Sequence, residues 1–145
     1  MTGSMINPPD LTIYQAKADL ITAESCLSES SSAASKIAKY LRGQAGYHLQ
    51  QACEKMIKIQ VYVAAAQLDY HKIYRHDLAD LASYAKSLGV QLILPKYIDD
   101  RLSMISSWEA EGRYDVHIVV RTDTLQRCLL EVNAWYEQLL ETGFN

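Results

Sequence analysis

The feature that most constrains this chain is one long amphipathic helix, predicted from about Ser35 to Leu68. Apolar side chains recur there at intervals of three and four, the period of a helix with one face against a core. Strand-like alternation is not sustained anywhere in the sequence, so we expect other helices to cover that face. The apolar stripe consists of Leu41, Ala45, Leu49, Ala52, Met56, Ile59 and Val63.

The rest of the sequence divides into shorter helical segments separated by turn residues. Asn7 to Asp10 has the composition of a helix start, with a capping Asn, two prolines and an acid. Together the segments predict an all-α, up-and-down bundle of four to five helices over residues 10–145, after a disordered segment over residues 1–9. The first helix is predicted to bury Leu11, Tyr14, Ala18 and Ile21, and the later ones to begin near His76, Pro95 and Thr122.

Composition limits the class of protein. A length of 145 residues with 49% apolar and 21% charged side chains is typical of one globular domain. The net charge of −3 argues against non-specific nucleic-acid binding by the domain as a whole. No apolar run approaches the roughly 18 residues of a membrane span. Cys26, Cys53 and Cys128 have no zinc spacing, so we expect reduced thiols in a cytoplasmic protein without metal or cofactor.

Arg113 and His117, separated by Tyr114, Asp115 and Val116, form the most suggestive catalytic group. A neighbouring cation and imidazole could hold a phosphate and transfer a proton, which is most of what metal-independent RNA cleavage requires. The alternative is structural: Arg113 pairs with an acid such as Glu109, and His117 caps a helix or packs. Spacing by itself favours the structural alternative.

Two other histidines have mainly structural interpretations. His48 lies next to Leu49 on the apolar side of the long helix, a position typical of a hydrogen-bonded core histidine. Arg42 precedes His48 by six residues. At roughly 100° per residue their side chains are about 600° apart around the helix axis, so Arg42 and His48 lie on different faces of a continuous helix. His76 and Asp77 indicate a helix start, where the helix dipole favours the acid.

The polar side of the long helix is predicted to face solvent. Glu54 and Lys58 form a favourable pair four residues apart, worth a few tenths of a kcal/mol, roughly. Two glycines inside the helix each cost on the order of 1 kcal/mol against Ala, which predicts either close packing or a helix break there. The polar residues are Gln51, Glu54, Lys55 and Lys58, and the glycines are Gly43 and Gly46.

Three short motifs in register resemble one family. The run from His48 to Lys58, HLQQACEKMIK, resembles the QQAxEKxxKA core helix of the HEPN domain (higher eukaryotes and prokaryotes nucleotide-binding). His76-Asp77-Leu78 followed by Leu81 is similar to that family's HDLxxL. Arg113-Tyr114-Asp115 stands where the family commonly has RYP, with Asp in place of Pro. The resemblance covers about residues 10 to 141.

The resemblance implies a four- or five-helix up-and-down bundle, usually a symmetric homodimer. It also implies that the protein acts together with a small nucleotidyltransferase, commonly as a toxin–antitoxin pair. Many members are metal-independent RNases with an Arg-x4-6-His motif. Arg113 to His117 departs from that spacing, and Arg42 to His48 satisfies it but at the start of the second helix.

The function expected from this resemblance is a non-catalytic module that binds a nucleotide or a partner nucleotidyltransferase. One alternative is an RNase toxin in which Arg113 holds phosphate and His117 transfers protons. Another is a structural homodimer scaffold with tyrosines in the contact, since the chain has ten of them. Candidate nucleotide- or partner-binding residues are Gln51, Glu54, Lys55, Lys58, His76, Asp77, Arg113 and Tyr114.

Overall fold

The computed structural model describes residues 5–6, 11–65, 67–109 and 120–144. Among these residues the chain is mostly helical with almost no strand, which confirms the all-α class. The β-structure in the described residues is one short antiparallel pairing, of β1 (Met5–Ile6) with β2 (Leu68–Asp69). The helices are α1 (Ile13–Ser30), α2 (Ser35–Ala64), α3 (Tyr70–Ile73), α4 (Leu78–Ser87), α5 (Lys96–Asp99), α6 (Leu102–Ser106) and α7 (Thr122–Thr142).

Helix α1 packs with a different face from the one predicted. Tyr14 and Ile21, expected in the core, are each 55% exposed. The expected start at Asn7 to Asp10 lies outside the described residues, and α1 begins after Thr12. Its first turn is capped by a hydrogen bond in which the Thr12 N–H donates to Gln15 Oε1 at 2.8 Å. The buried stripe includes two alanines, which let α2 approach closely: Ile13, Ala16, Leu20, Ala23 and Leu27.

Helix α2 is continuous through both of its glycines. An added Cβ at Gly46 would lie 3.1 Å from Trp108 Cγ, so close packing is what this glycine permits. Because the helix has no break, Arg42 and His48 lie on different faces, as the rotation predicts. The helix ends at Ala64, earlier than expected, and Val63 is 70% exposed at that end.

Helix α2 is the central helix of the fold. It is joined to α1 by the short connection over residues 31–34, so the two helices form an antiparallel hairpin. It also contacts α4, α6 and α7, while α7 packs against α1 as well. The core closes around Trp135 of α7, whose Nε1–H donates to the Ile93 carbonyl at 2.7 Å.

The cysteines are free thiols, as the sequence predicts. Cys53 and Cys128 are buried and Cys26 is half-buried. Burial raises the pKa of the Cys128 thiol to about 12 and also raises that of Cys53, so both are protonated at neutral pH. These two cysteines therefore act as small core residues.

Candidate functional site

The polar side of α2 is covered by protein, contrary to the solvated face predicted for it. Glu54 and Lys58 are only 6% and 7% exposed, and their side chains pair at 2.9 Å. Tyr74, which follows α3, lies over this pair with its ring centroid 5.3 Å from Lys58 Nζ. The prediction was wrong because α2 is central, with neighbours on both sides of its axis.

Glu54 is the centre of a hydrogen-bonded cluster that also contains Gln50, Lys58 and His76, here called the Glu54 network. Its Oε1 accepts from Gln50 Nε2 at 3.1 Å and lies 3.1 Å from His76 Nδ1. Its Oε2 accepts from Lys58 Nζ at 2.9 Å. Both carboxylate oxygens are thus in use, which is how a buried charge is retained in a fold.

Electrostatics within the network keep Glu54 ionised. Burial taken alone raises the pKa of this carboxyl, but the charge of Lys58 and hydrogen bonds from Lys58, Gln50 and His76 lower it overall. The same surroundings act on a neighbouring phenol: burial, with Tyr74 and Glu54 nearby, raises the pKa of Tyr62 to about 12. The network therefore contains an ion pair at neutral pH.

His76 joins the network to the start of α4. Its backbone carbonyl accepts from Gln50 Nε2 at 2.8 Å, while its imidazole reaches Glu54 from a position where 62% of the side chain is exposed. Since an ionised carboxylate can only accept, His76 Nδ1 carries the hydrogen in this contact. These two bonds fix the turn between α3 and α4.

Asp77 begins α4 as the sequence predicts. Its side chain accepts from the Asp80 N–H at 2.9 Å, which satisfies one of the free donors of the first turn. The next residue, Leu78, is buried, and its N–H donates to Ser106 Oγ at 2.8 Å. The His76-Asp77-Leu78 motif therefore anchors one helix to both α2 and α6.

A second polar cluster joins α1 to α2. Asp19 of α1 lies 2.9 Å from His48 Nδ1 and also pairs directly with Lys55 Nζ. This confirms the prediction that His48 is hydrogen-bonded within the fold. Gln51, which is half-buried, donates to Gln50 Oε1 at 2.8 Å. The motif side chains Gln51 and Lys55 are thus held by contacts within the protein.

A separate cleft opens between α3 and α4, next to the turn that joins them. Its volume is about 450 Å³. Two cations approach it from the α3 side, and within the described part of the chain neither lies within ion-pair distance of a carboxylate. The lining residues of this α3–α4 cleft are Lys72, Arg75, Asp80, Ser83, Tyr84 and Ser87.

Both cations of the α3–α4 cleft are held by neighbouring groups. Lys72 Nζ lies 5.9 Å from the centroid of the Tyr84 ring, and the Tyr84 hydroxyl accepts from the Asp69 N–H at 2.7 Å. Arg75 Nε donates to the His71 carbonyl at 3.1 Å. The sequence predicts a connection over residues 69–75, between the long helix and the helix near His76, and its two cations three residues apart are a signal that could have indicated the cleft.

The proposed catalytic group cannot be compared with these contacts. Arg113, Tyr114 and His117 lie outside the described residues, so the RNase site stays a prediction. In the ranges that are described, no group of three or more His, Cys, Asp or Glu side chains could hold a metal ion. No helix in those ranges is long and apolar enough to cross a bilayer.

Comparison with known proteins does not identify a function for this chain. No protein-family model matches the chain, and neither a curated protein nor a solved structure is significantly similar to it. The HEPN resemblance therefore depends on the motifs quoted above and on how their residues meet in the fold.

Proposed function

We propose that this chain is a HEPN-type up-and-down helical bundle that binds a nucleotide or a partner nucleotidyltransferase and does not itself cleave RNA. The observation that carries the proposal is the meeting of two family-like motifs at Glu54. His76 belongs to the second motif, 22 residues beyond Glu54 in the chain, and yet its imidazole contacts the carboxylate of the first. Chance matches have no reason to share a contact, whereas the signature of one fold does.

The contacts of these residues argue against acid–base catalysis by Glu54 and Asp77, whereas the RNase alternative concerns Arg113 and His117. A general acid or base must come within hydrogen-bond distance of its substrate. Glu54 is 6% exposed and both its oxygens already have partners, and Asp77 is occupied as a helix cap. The motif residues thus hold the bundle together and leave ligand binding to other surfaces, among them the α3–α4 cleft.

Calorimetry tests this function directly. The chain is titrated with ATP, GTP, CTP and UTP, and separately with a minimal nucleotidyltransferase encoded beside its gene. We expect saturable binding of at least one of these at one site per protomer. Absence of binding to all of them would overturn the proposal.

An RNA cleavage assay separates this function from the RNase alternative. We expect the wild-type protein and the Arg113→Ala/His117→Ala double variant to leave a structured RNA equally intact in the absence of metal. Cleavage by the wild type that the double variant lacks would establish an RNase instead, with Arg113 holding phosphate and His117 transferring protons.

A second candidate, a homodimer scaffold, is favoured by the exposed apolar side chains of the α1–α2 hairpin. Tyr14 and Ile21 share one outward face of α1, and Ile37 and Tyr40 of α2 are also more than half exposed. Exposed apolar side chains that share one face of a helix, as Tyr14 and Ile21 do, are what a contact surface requires. Sedimentation velocity at micromolar concentration distinguishes the two: a monomer argues against the scaffold, and a dimer dissociated by Ile21→Asp supports it.

A further inference from the structure

We infer that the α3–α4 cleft is the nucleotide site, with Lys72 and Arg75 binding a phosphate and Asp80 binding the ribose. The inference rests on the proposed function and gives it a location and a ligand class. One wall of the cleft carries two cations, and the other carries a carboxylate and hydroxyls. These groups match a ligand that is anionic at one end and has hydroxyl donors at the other.

The cations are available for a ligand. Of the described lysines and arginines, several are neutralised by carboxylates within the protein, as Lys55 and Lys58 are. Lys72 and Arg75 have no such partner among the described residues, and both line the same cleft. Unneutralised cations lining a concave surface are what a phosphate requires, because charge-assisted hydrogen bonds are the stronger kind.

The cations are also positioned before a ligand arrives. The ammonium group of Lys72 lies 5.9 Å from the centroid of the Tyr84 ring, and the His71 carbonyl accepts a hydrogen bond from Arg75 Nε. That bond occupies only one of the guanidinium's donor positions and leaves the terminal nitrogens for a phosphate. Binding then immobilises fewer rotatable bonds, which lowers its entropic cost.

The frame of the cleft is fixed from behind by the Glu54 network. His76 follows Arg75 directly, and its carbonyl and imidazole are both bound to α2. At the other end of the segment, Asp69 caps α3 by accepting from the His71 N–H at 2.9 Å. The motif residues therefore set the separation of the two cleft walls without touching the ligand.

The residues on the α4 wall of the cleft favour a ribonucleotide as the ligand rather than inorganic phosphate alone. Asp80 has no hydrogen-bond donor on its carboxylate among the described residues, and a carboxylate accepts well from the two hydroxyls of a ribose. Ser83 and Ser87 add hydroxyls along the same face of α4. The volume of about 450 Å³ is within the range of roughly 300–1,000 Å³ usual for small-molecule sites.

Isothermal titration with ATP, dATP and inorganic phosphate tests the inference on the full chain. We expect Lys72→Ala and Arg75→Ala each to weaken ATP binding on the order of tenfold, the loss of one charge-assisted contact at a partly exposed site. We expect wild type to prefer ATP over dATP by about tenfold, and Asp80→Asn to abolish most of that preference. Lys86→Ala removes a cation from the same helix outside this cleft and should change ATP affinity less than about twofold.

The outcomes separate the site from the function. If wild type binds ATP and both cation variants bind it equally well, the nucleotide site lies elsewhere and the proposed function survives without this location. If ATP and dATP bind alike in wild type, the role of Asp80 is overturned. If no nucleotide binds wild type, the site fails together with nucleotide binding, and titration with the nucleotidyltransferase then tests the rest of the function. Thermal melting of each variant establishes that it is folded.

Discussion

The Glu54 network and the α3–α4 cleft both adjoin the turn between α3 and α4, and they use their charges in opposite ways. In the network, Glu54 and Lys58 are buried and neutralise each other. In the cleft, Lys72 and Arg75 are exposed and have no carboxylate partner among the described residues. Charges of the first kind maintain a fold, and charges of the second kind are available for a ligand. Substitutions should therefore change stability at one place and binding at the other.

The largest effect is expected from removing one half of the buried pair. Lys58→Met leaves the Glu54 carboxylate buried without its cation, so we expect the free energy of unfolding to fall by roughly 3–5 kcal/mol. Urea denaturation followed by circular dichroism measures it. The double variant Glu54→Gln/Lys58→Met is the matched control and should recover most of the loss, since it removes both charges. A loss below about 1 kcal/mol for Lys58→Met would show that the pair is not structural.

Acid should remove part of the same stabilisation. The pKa of Glu54 is lower in the folded chain than its ordinary value of 4.5, so protonation favours the unfolded chain. The contribution is complete above that ordinary value and is lost as the pH falls through the folded-state pKa. We expect the wild type to lose more stability than Glu54→Gln/Lys58→Met between neutral pH and pH 3. Parallel pH dependences of the two proteins would contradict the assignment.

A smaller effect is expected at the helix cap between the two regions. Asp77→Ala removes the acceptor of the Asp80 N–H, and loss of such a cap costs typically about 1 kcal/mol. Asp77→Ser or Asp77→Asn retains an acceptor and should restore most of the stability. Chemical denaturation of the three variants compares them, and equal stability of the Ala and Asn variants would exclude a capping role.

The smallest effect on stability is expected in the cleft. Lys72→Ala and Arg75→Ala remove charges without an ion-pair partner among the described residues, so each should change the free energy of unfolding by less than about 0.5 kcal/mol. The same denaturation assay measures both. If the free energy of unfolding fell as much as in Lys58→Met, Lys72 and Arg75 would be structural residues, and the contrast between the two regions would be wrong.

Much of the fold could be predicted from the sequence because helix starts and periods are local signals. The start of α2 at Ser35, the cap at Asp77 and the start of α7 at Thr122 agree with the expected ones. The face of α1 could not be predicted as reliably, because two apolar stripes with a helical period run along it. Packing selected the stripe that contains Ala16 and Ala23, and Tyr14 and Ile21 were left outside.

The candidate site was less predictable because it depends on contacts between distant residues. The periodicity of a single helix predicts one buried face, so Glu54 and Lys58 were expected to face solvent. They are buried because α2 is covered on two sides. The cleft joins Lys72 to Tyr84 across two helices and a turn, which no local spacing reveals. Of the candidate binding residues, Glu54, Lys58 and His76 meet in the network, whereas Lys55 pairs with Asp19 of α1.

The central claim is most directly tested by titrating ATP into wild type and into the Lys72→Ala/Arg75→Ala double variant at the same ionic strength. We expect the affinity to fall about a hundredfold, because the two cations act on the same phosphate end of the ligand. The free energy of unfolding should stay within about 1 kcal/mol of wild type. Equal ATP affinity in the two proteins would contradict the assignment of the cleft.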